Sequence, residues 1–133
     1  MSLFKKIINK EIPAHILYED EEVFAFLDIS QTTKGHTLII PKVETKNFLE
    51  TDSQLIGKMF KVTQQLAKKI EENLGATGFN VLTNMNEVAG QTVFHFHIHL
   101  IPRYDENDTL KIEFSSNELD LNEIKTMILK NQD

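Results

Sequence analysis

The amino-acid sequence predicts an α+β domain: a five-stranded antiparallel sheet with one long helix and shorter helices near the two ends. Three observations carry that expectation. Strand-like runs recur between turn residues, the stretch from Leu55 to Leu74 repeats apolar residues at helical spacing, and Phe94 to Ile101 alternates apolar side chains with histidine. Short turns between the strands favour an antiparallel meander, with the long helix as the one sizeable insertion.

Leu3, Phe4, Ile7 and Ile8 are spaced for one or two amphipathic helical turns, expected to end at Pro13. Ile16 to Glu19 and Val23 to Leu27 read as two strands around the acidic turn Asp20-Glu21. Gly35 opens a third strand, His36 to Ile40, which Pro41 closes. Thr51 or Asp52 is placed to cap the long helix. Its stripe is Leu55, Met59, Val62, Leu66, Ile70 and Leu74, and Gly75 is its stop. Phe79 to Thr83 is a fourth strand, and the histidine run is a fifth. Asp120 and Glu123 resemble a capping box before Leu121, Ile124 and Ile128, a final helix.

At 133 residues the chain is expected to form a single domain, long enough to bury a core without staples. It contains no Cys, which excludes disulfides and any Cys-based zinc site. A net charge of -6 argues against a general nucleic-acid binder, so an anionic ligand has to be held by a local site. The start lacks an apolar run of signal-peptide length, and nothing later approaches a membrane span. The expected location is the cytoplasm, with no nucleic-acid or membrane partner.

In an extended strand, Phe94, Phe96, Ile98 and Leu100 face a core while His95, His97 and His99 line the opposite face. Three of the chain's five histidines therefore cluster where a solvated strand would carry Thr, Lys or Glu. Alternate residues on a strand stand about 6.6–6.8 Å apart. Three such rings converge poorly on a tetrahedral ion, and no carboxylate or thiolate flanks them, so no metal is expected on the triad. A purely structural row, each ring satisfied by backbone groups, is the bland alternative. A row of acid, base and nucleophile is the favoured reading. Imidazole attacks phosphorus through Nε2 when Nδ1–H is tied to a carbonyl, and the middle position has a neighbour on each side. The polar loop Asn84 to Thr92 ends in Gly90-Gln91-Thr92, where glycine permits close backbone approach and the amide and hydroxyl groups could hold phosphate oxygens.

The segment Gly90-Gln91-Thr92-Val93-Phe94-His95-Phe96-His97-Ile98-His99-Leu100-Ile101 closely resembles the signature of the histidine triad (HIT) family of nucleotidyl hydrolases and transferases. Leu3 to Pro13, Phe24 to Ser30 and Gly35 to Lys42 are similar to that family's amino-terminal segment and its second and third strands. The resemblance covers about residues 3 to 104, leaving 105 to 133 as a tail. It is strongest to the histidine triad nucleotide-binding branch, including bacterial members whose triad strand runs into Ile-Pro-Arg-Tyr, here Ile101 to Tyr104.

The resemblance implies a HIT-like fold, a homodimer, and chemistry on purine nucleotides without a cofactor. It implies that His97 is the nucleophile towards the α-phosphorus, and that His99 and His36 hydrogen-bond the phosphate. His95 would orient the nucleophile, with Gln91 and Thr92 near the leaving group. Asp28 is similar to the residue that accepts bonds from the ribose hydroxyls. Phe4, Ile7, Phe26, Ile29 and Leu38 resemble the apolar cleft around the base, and Asn84 and Gly90 belong to the phosphate side. Most of these apolar residues would equally be core in any such fold, and Asp28 could cap a turn. Lys5, Lys6 and Lys10 read as a solvated face.

Two departures stand out. Relatives with Cys-x-x-Cys near the start and a histidine after the third strand bind zinc there with the first triad histidine. Here those positions are Ser2, Lys5 and Glu44, so the structural zinc is expected to be absent. The chain also has no Trp, so the carboxy-terminal Trp of eukaryotic relatives is missing. The expected function is hydrolysis of nucleoside 5′-phosphoramidates or related derivatives, releasing AMP or GMP. Dinucleoside polyphosphate hydrolysis, a non-catalytic purine-nucleotide-binding dimer and a metal-binding strand remain as alternatives.

Overall fold

The computed structural model describes residues 2–131. In chain order run α1 (Leu3–Ile8), β1 (Ile16–Glu19), β2 (Val23–Leu27), β3 (Thr37–Pro41), α2 (Ser53–Leu74), β4 (Gly78–Leu82), β5 (Ile98–Arg103) and α3 (Leu121–Ile128). The strands form one antiparallel sheet of order β1-β2-β3-β5-β4, as the α+β reading expects. A simple meander is not what forms, because β5 inserts between β3 and β4. Burial explains the order. β5 is buried along most of its length, whereas β4 is half-exposed and suits an edge.

Alternation along the central strands divides two cores. Val23, Ala25, Ile39, Ile98 and Leu100 point to the face covered by α2 and pack on Leu55, Met59, Val62, Leu66 and Ile70. Phe24, Phe26, Leu38 and Ile40 point to the other face, where Phe4 and Ile7 of α1 cover them. Opposed residues share a face, so the pairs Phe26↔Leu38, Leu38↔His99 and Leu82↔His99 place His99 on the α1 side.

The caps follow the sequence closely. Asp52 is the residue that caps α2, its carboxylate accepting from the Leu55 N–H at 3.1 Å, while Thr51 donates to the Asn47 carbonyl. Gly75 ends that helix in the left-handed region. Asp120 accepts from the Glu123 N–H at the start of α3.

α1 stops well before Pro13. Lys10 adopts φ 63°, its N–H bonds to Ile7 O, and Glu11 N–H bonds to Lys6 O, which closes the helix end without glycine. Lys10 also pairs with Glu19 and lies over the Phe24 ring, and Lys5 Nζ donates to Lys42 O, so neither belongs to a merely solvated face.

The apolar stripe of α2 is spent on its own sheet and is not left over for a second chain. Apolar surface left exposed on α2 and on β4, the outer strand of the sheet, includes Phe60 of α2 and Val81 of β4, each 45% exposed. After β5 the chain is tied down by Arg103, which pairs with Asp108 and donates to Leu110 O. α3 buries none of its residues. Among the described residues, no helix is long and apolar enough to cross a membrane.

Gly35 leads into β3 at φ +94°, and a Cβ there would stand 3.0 Å from Leu74 Cδ1 and 3.2 Å from Pro102 Cγ. Gly35→Ala is therefore expected to lower stability by about 1–3 kcal/mol, read as a fall in the urea midpoint at unchanged slope. An unchanged midpoint would show that the close approach is not strained.

Candidate active site

Regular pairing in β5 begins only at Ile98, so His95 and His97 precede the strand instead of lying in it. Phe96 N–H donates to Thr45 O at 2.6 Å, outside the sheet ladder, and this turns the segment. Phe96, Ile98 and Leu100 are buried as the alternation expects. Phe94 is not: it is 43% exposed, with Lys46 Nζ 5.6 Å from its ring centre.

Hydrogen bonds to backbone groups assign the proton on each ring. His97 Nδ1 lies 2.8 Å from His95 O, and a carbonyl only accepts, so Nδ1 carries the proton and Nε2 keeps its lone pair. His95 Nε2 donates to Pro41 O at 2.8 Å, which leaves Nδ1 to accept from Ser2 Oγ at 3.3 Å. His36 Nδ1 accepts from Thr32 N–H at 3.4 Å, so its Nε2–H donates to His99 Nδ1 at 3.0 Å. His99 is then protonated on Nε2. A base, His97 Nε2, thus sits beside a donor, His99 Nε2–H, with ring centres 4.9 Å apart.

Burial dominates the titration of all three triad rings. It pushes His95 and His97 below the ordinary imidazole value, against the backbone bonds that favour their charged forms. His99 is lowered to about 4 by burial first and then by His97 and His36. The triad is therefore neutral at physiological pH.

These rings open onto a cleft of about 360 Å³. Phe4, Ile7, Phe26 and Leu38 form its apolar wall, being both core and lining. Asp28, Asn84, Gly90, Thr92, His97 and His99 bring its polar groups, while Ile29, also read as apolar lining, borders it at 93% exposure instead of being packed into the wall. Phe4 meets His97 edge-on at 5.0 Å, so α1 packs directly on the middle histidine. Asp28 Oδ1 accepts from the Ser30 N–H, a local turn bond, while Oδ2 stands 3.7 Å from His36 Nε2.

Three of the residues singled out from sequence stand behind the lining. His95 acts on His97 through its carbonyl, and His36 acts on His99 through its ring. Gln91 is buried with its amide committed: Oε1 accepts from Asn86 N–H, and Nε2 donates to Lys46 O and Val93 O. It braces the loop instead of facing a leaving group. Ser2, Thr32 and Thr83 were not singled out as site residues, yet Thr83 Oγ1 holds His97 O at 2.7 Å. These roles carry no signal in the sequence: Ser2 reaches a ring far along the chain, Thr83 bonds a backbone carbonyl of another segment, and Thr32 acts on nearby His36 through a backbone N–H that its side chain does not determine. At the positions compared above with a zinc-binding pattern, Ser2 N–H donates to Glu44 and Lys5 Nζ is engaged with Lys42 O. A hydroxyl, an ammonium and a carboxylate beside His95 form a donor set poorly suited to zinc.

Fold and site together define a protein whose buried, neutral histidines end an antiparallel sheet at an apolar cleft. A family model, the HIT domain, matches residues 9–106, and the chain belongs to the HIT family. It is 48% identical over 106 residues to the protein hit of Bacillus subtilis, covering 80% of this chain and 73% of that one. It is 35% identical over 122 residues to the adenosine 5′-monophosphoramidase HNT1 of Saccharomyces cerevisiae, covering 92% and 75%. The crystal structure of a HIT family member from Bacillus subtilis superposes with a TM-score of 0.92 at 41% identity, covering 99% and 97%. A histidine triad nucleotide-binding protein from Candida albicans gives 0.86 at 31% identity, covering 98% and 94%.

The neutral triad makes stability depend on pH in a defined window. His99 titrates at about 4 when folded and near 6.5 when unfolded, so between these values the unfolded chain binds the extra proton. Its contribution is complete above 6.5 and is lost as pH falls towards 4. Glu19, Asp20, Glu44 and Asp108 are lowered from 4.5 or 3.8 and act at lower pH. The urea midpoint should fall across the upper window, and His99→Gln should flatten that fall. Parallel profiles for the two proteins would contradict the assignment.

Proposed function

We propose that this chain is a nucleotide hydrolase that cleaves nucleoside 5′-phosphoramidates, or related nucleoside monophosphate derivatives, through a nucleotidyl intermediate on His97. The observation that carries this reading is the 2.8 Å bond from His97 Nδ1 to His95 O, which leaves Nε2 a lone pair next to the Nε2–H of a neutral His99. The yeast relative named as an adenosine 5′-monophosphoramidase supports the same class of substrate.

In this reading the purine lies against Phe4, Ile7, Phe26 and Leu38, and Asp28 accepts bonds from the ribose hydroxyls. Asn84, Gly90 and Thr92 bind the phosphate side. His97 Nε2 forms a bond to the α-phosphorus as the phosphorus–nitrogen bond breaks, the departing amine takes a proton from solvent, and His99 Nε2–H donates a hydrogen bond to a phosphate oxygen. Water then attacks phosphorus, gives up a proton to solvent and frees AMP or GMP together with neutral His97. No step uses a metal. His36 and His95 are positioning residues, each fixing the tautomer or orientation of the ring it contacts. A homodimer joined through the free edge of β4 and the outer side of α2 is part of the proposal, supported by exposed Val81 on β4 and Phe60 on α2.

Wild-type protein should release AMP from adenosine 5′-phosphoramidate in the presence of a chelator, and His97→Ala should lose at least about 10³-fold in rate. Turnover by the variant at the wild-type rate would reject His97 as nucleophile. Diadenosine tetraphosphate assayed alongside would reveal whether the leaving group is instead a nucleotide. Because burial lowers His97 from 6.5, the acid limb of kcat/KM should lie below 6.5, the activity being lost only as His97 protonates. A limb at or above 6.5 would place the titration on another group.

A further inference from the structure

We propose that Asp28, His36 and His99 form a binding site for a zinc-class divalent cation, and that this cation competes with nucleotide for the cleft. One ligand atom from each of the three lies within 4.8 Å of the others. His36 Nε2 is 3.0 Å from His99 Nδ1 and 3.7 Å from Asp28 Oδ2. Zinc holds nitrogen and carboxylate oxygen at about 2.0–2.2 Å, so tetrahedral ligand pairs stand roughly 3.3 Å apart. Two of the separations already fit an ion to within a few tenths of an ångström, and the third, between His99 and Asp28 at up to 4.8 Å, closes by movement of the half-buried Asp28 side chain.

The donors come from three adjacent strands or their ends: Asp28 follows β2, His36 precedes β3 and His99 lies in β5. Ladder pairs Leu27↔Thr37 and Leu38↔His99 hold them in register, so the site is built on sheet and not on a mobile loop. Ser30 N–H occupies Asp28 Oδ1, which leaves Oδ2 turned to the histidines, the outer support that metal-binding carboxylates use.

Two imidazoles and one carboxylate suit Zn²⁺ or Co²⁺ and are a poor set for Mg²⁺ or Ca²⁺. Both rings bind as neutral imidazoles. His99 already offers Nδ1, while His36 moves its proton from Nε2 to Nδ1 and gives up the long 3.4 Å contact with the Thr32 amide. No proton is gained or lost overall. Asp28 and His99 line the cleft, so the fourth position opens to solvent there. Only one ligand belongs to the triad, which is why a search along that strand does not reveal the site.

The competition rests on the proposed nucleotide reading, since it requires Asp28 and His99 to be the ribose and phosphate ligands. The binding itself does not. Calorimetric titration of ZnSO₄ into the full chain should show one site per chain. Asp28→Asn and His36→Gln should each weaken it at least about tenfold, whereas Glu44→Gln, beside His95, should leave it unchanged. Saturating AMP should abolish the heat, and CoCl₂ should give the intense visible bands of a tetrahedral ion. Absence of saturable binding in the wild type would overturn the proposal. So would binding that survives both Asp28→Asn and His36→Gln, or that disappears in Glu44→Gln. Zinc binding that depends on Asp28 and His36 yet persists undiminished under AMP would uphold the metal site and reject the nucleotide placement.

Discussion

Three residue pairs between β3 and β5, Thr37 with Leu100, Leu38 with His99 and Ile39 with Ile98, decide what each face of the sheet contains. A slip of one residue would turn Ile98 and Leu100 away from α2 and drive His99 into a fully apolar core. Burying those two side chains is worth about 1.5–3 kcal/mol each, which penalises the slip and so specifies the register. The site inherits that specification. With Leu38 opposite His99, His36 arrives within hydrogen-bond reach of the same ring, and Asp28 follows from the next ladder. The geometry of the site is a by-product of packing on the opposite face.

The same packing sets the electrostatics. A ring in water would be about half protonated near its ordinary value, and each triad ring is held below it chiefly by burial. The cost of keeping the imidazoles neutral is low, because the inner nitrogen of each ring is matched by a backbone or side-chain group, while His97 and His99 line the cleft with their Nε2 atoms unengaged. Among the described residues no buried side-chain nitrogen or oxygen lacks a partner. Chemistry that needs one free lone pair and one free N–H is therefore compatible with a well-satisfied interior.

Much of this was legible in the residues. The helix with Asp52 and Gly75 at its ends, the five strands and the histidine cluster could be read because each rests on local periodicity or cap chemistry. The position of β5 inside the sheet could not, since pairing between distant strands depends on which strand buries more surface. The extended-strand reading also overreached by four residues. A bond from Phe96 to Thr45 competes with the ladder there, and the alternation of His and Phe carries no trace of it. Gln91 shows the limit for site residues: its identity suggested ligand contact, but its amide is consumed by three backbone groups that only the folded chain brings together.

The amino-terminal helix ties stability to function most directly. Six residues are too few to be helical alone, so α1 exists because Phe4 and Ile7 are buried and Ser2 caps its first turn. The same hydroxyl that accepts from Lys5 N–H also reaches His95, and the same Phe4 ring lies edge-on to His97. Without thiolates to fix this end, α1 is held by two apolar side chains and a few hydrogen bonds, a small sum against the entropy of ordering the segment. Because Phe4 and Ile7 also form one wall of the cleft, the burial that orders α1 and the shape of the site rest on the same two side chains.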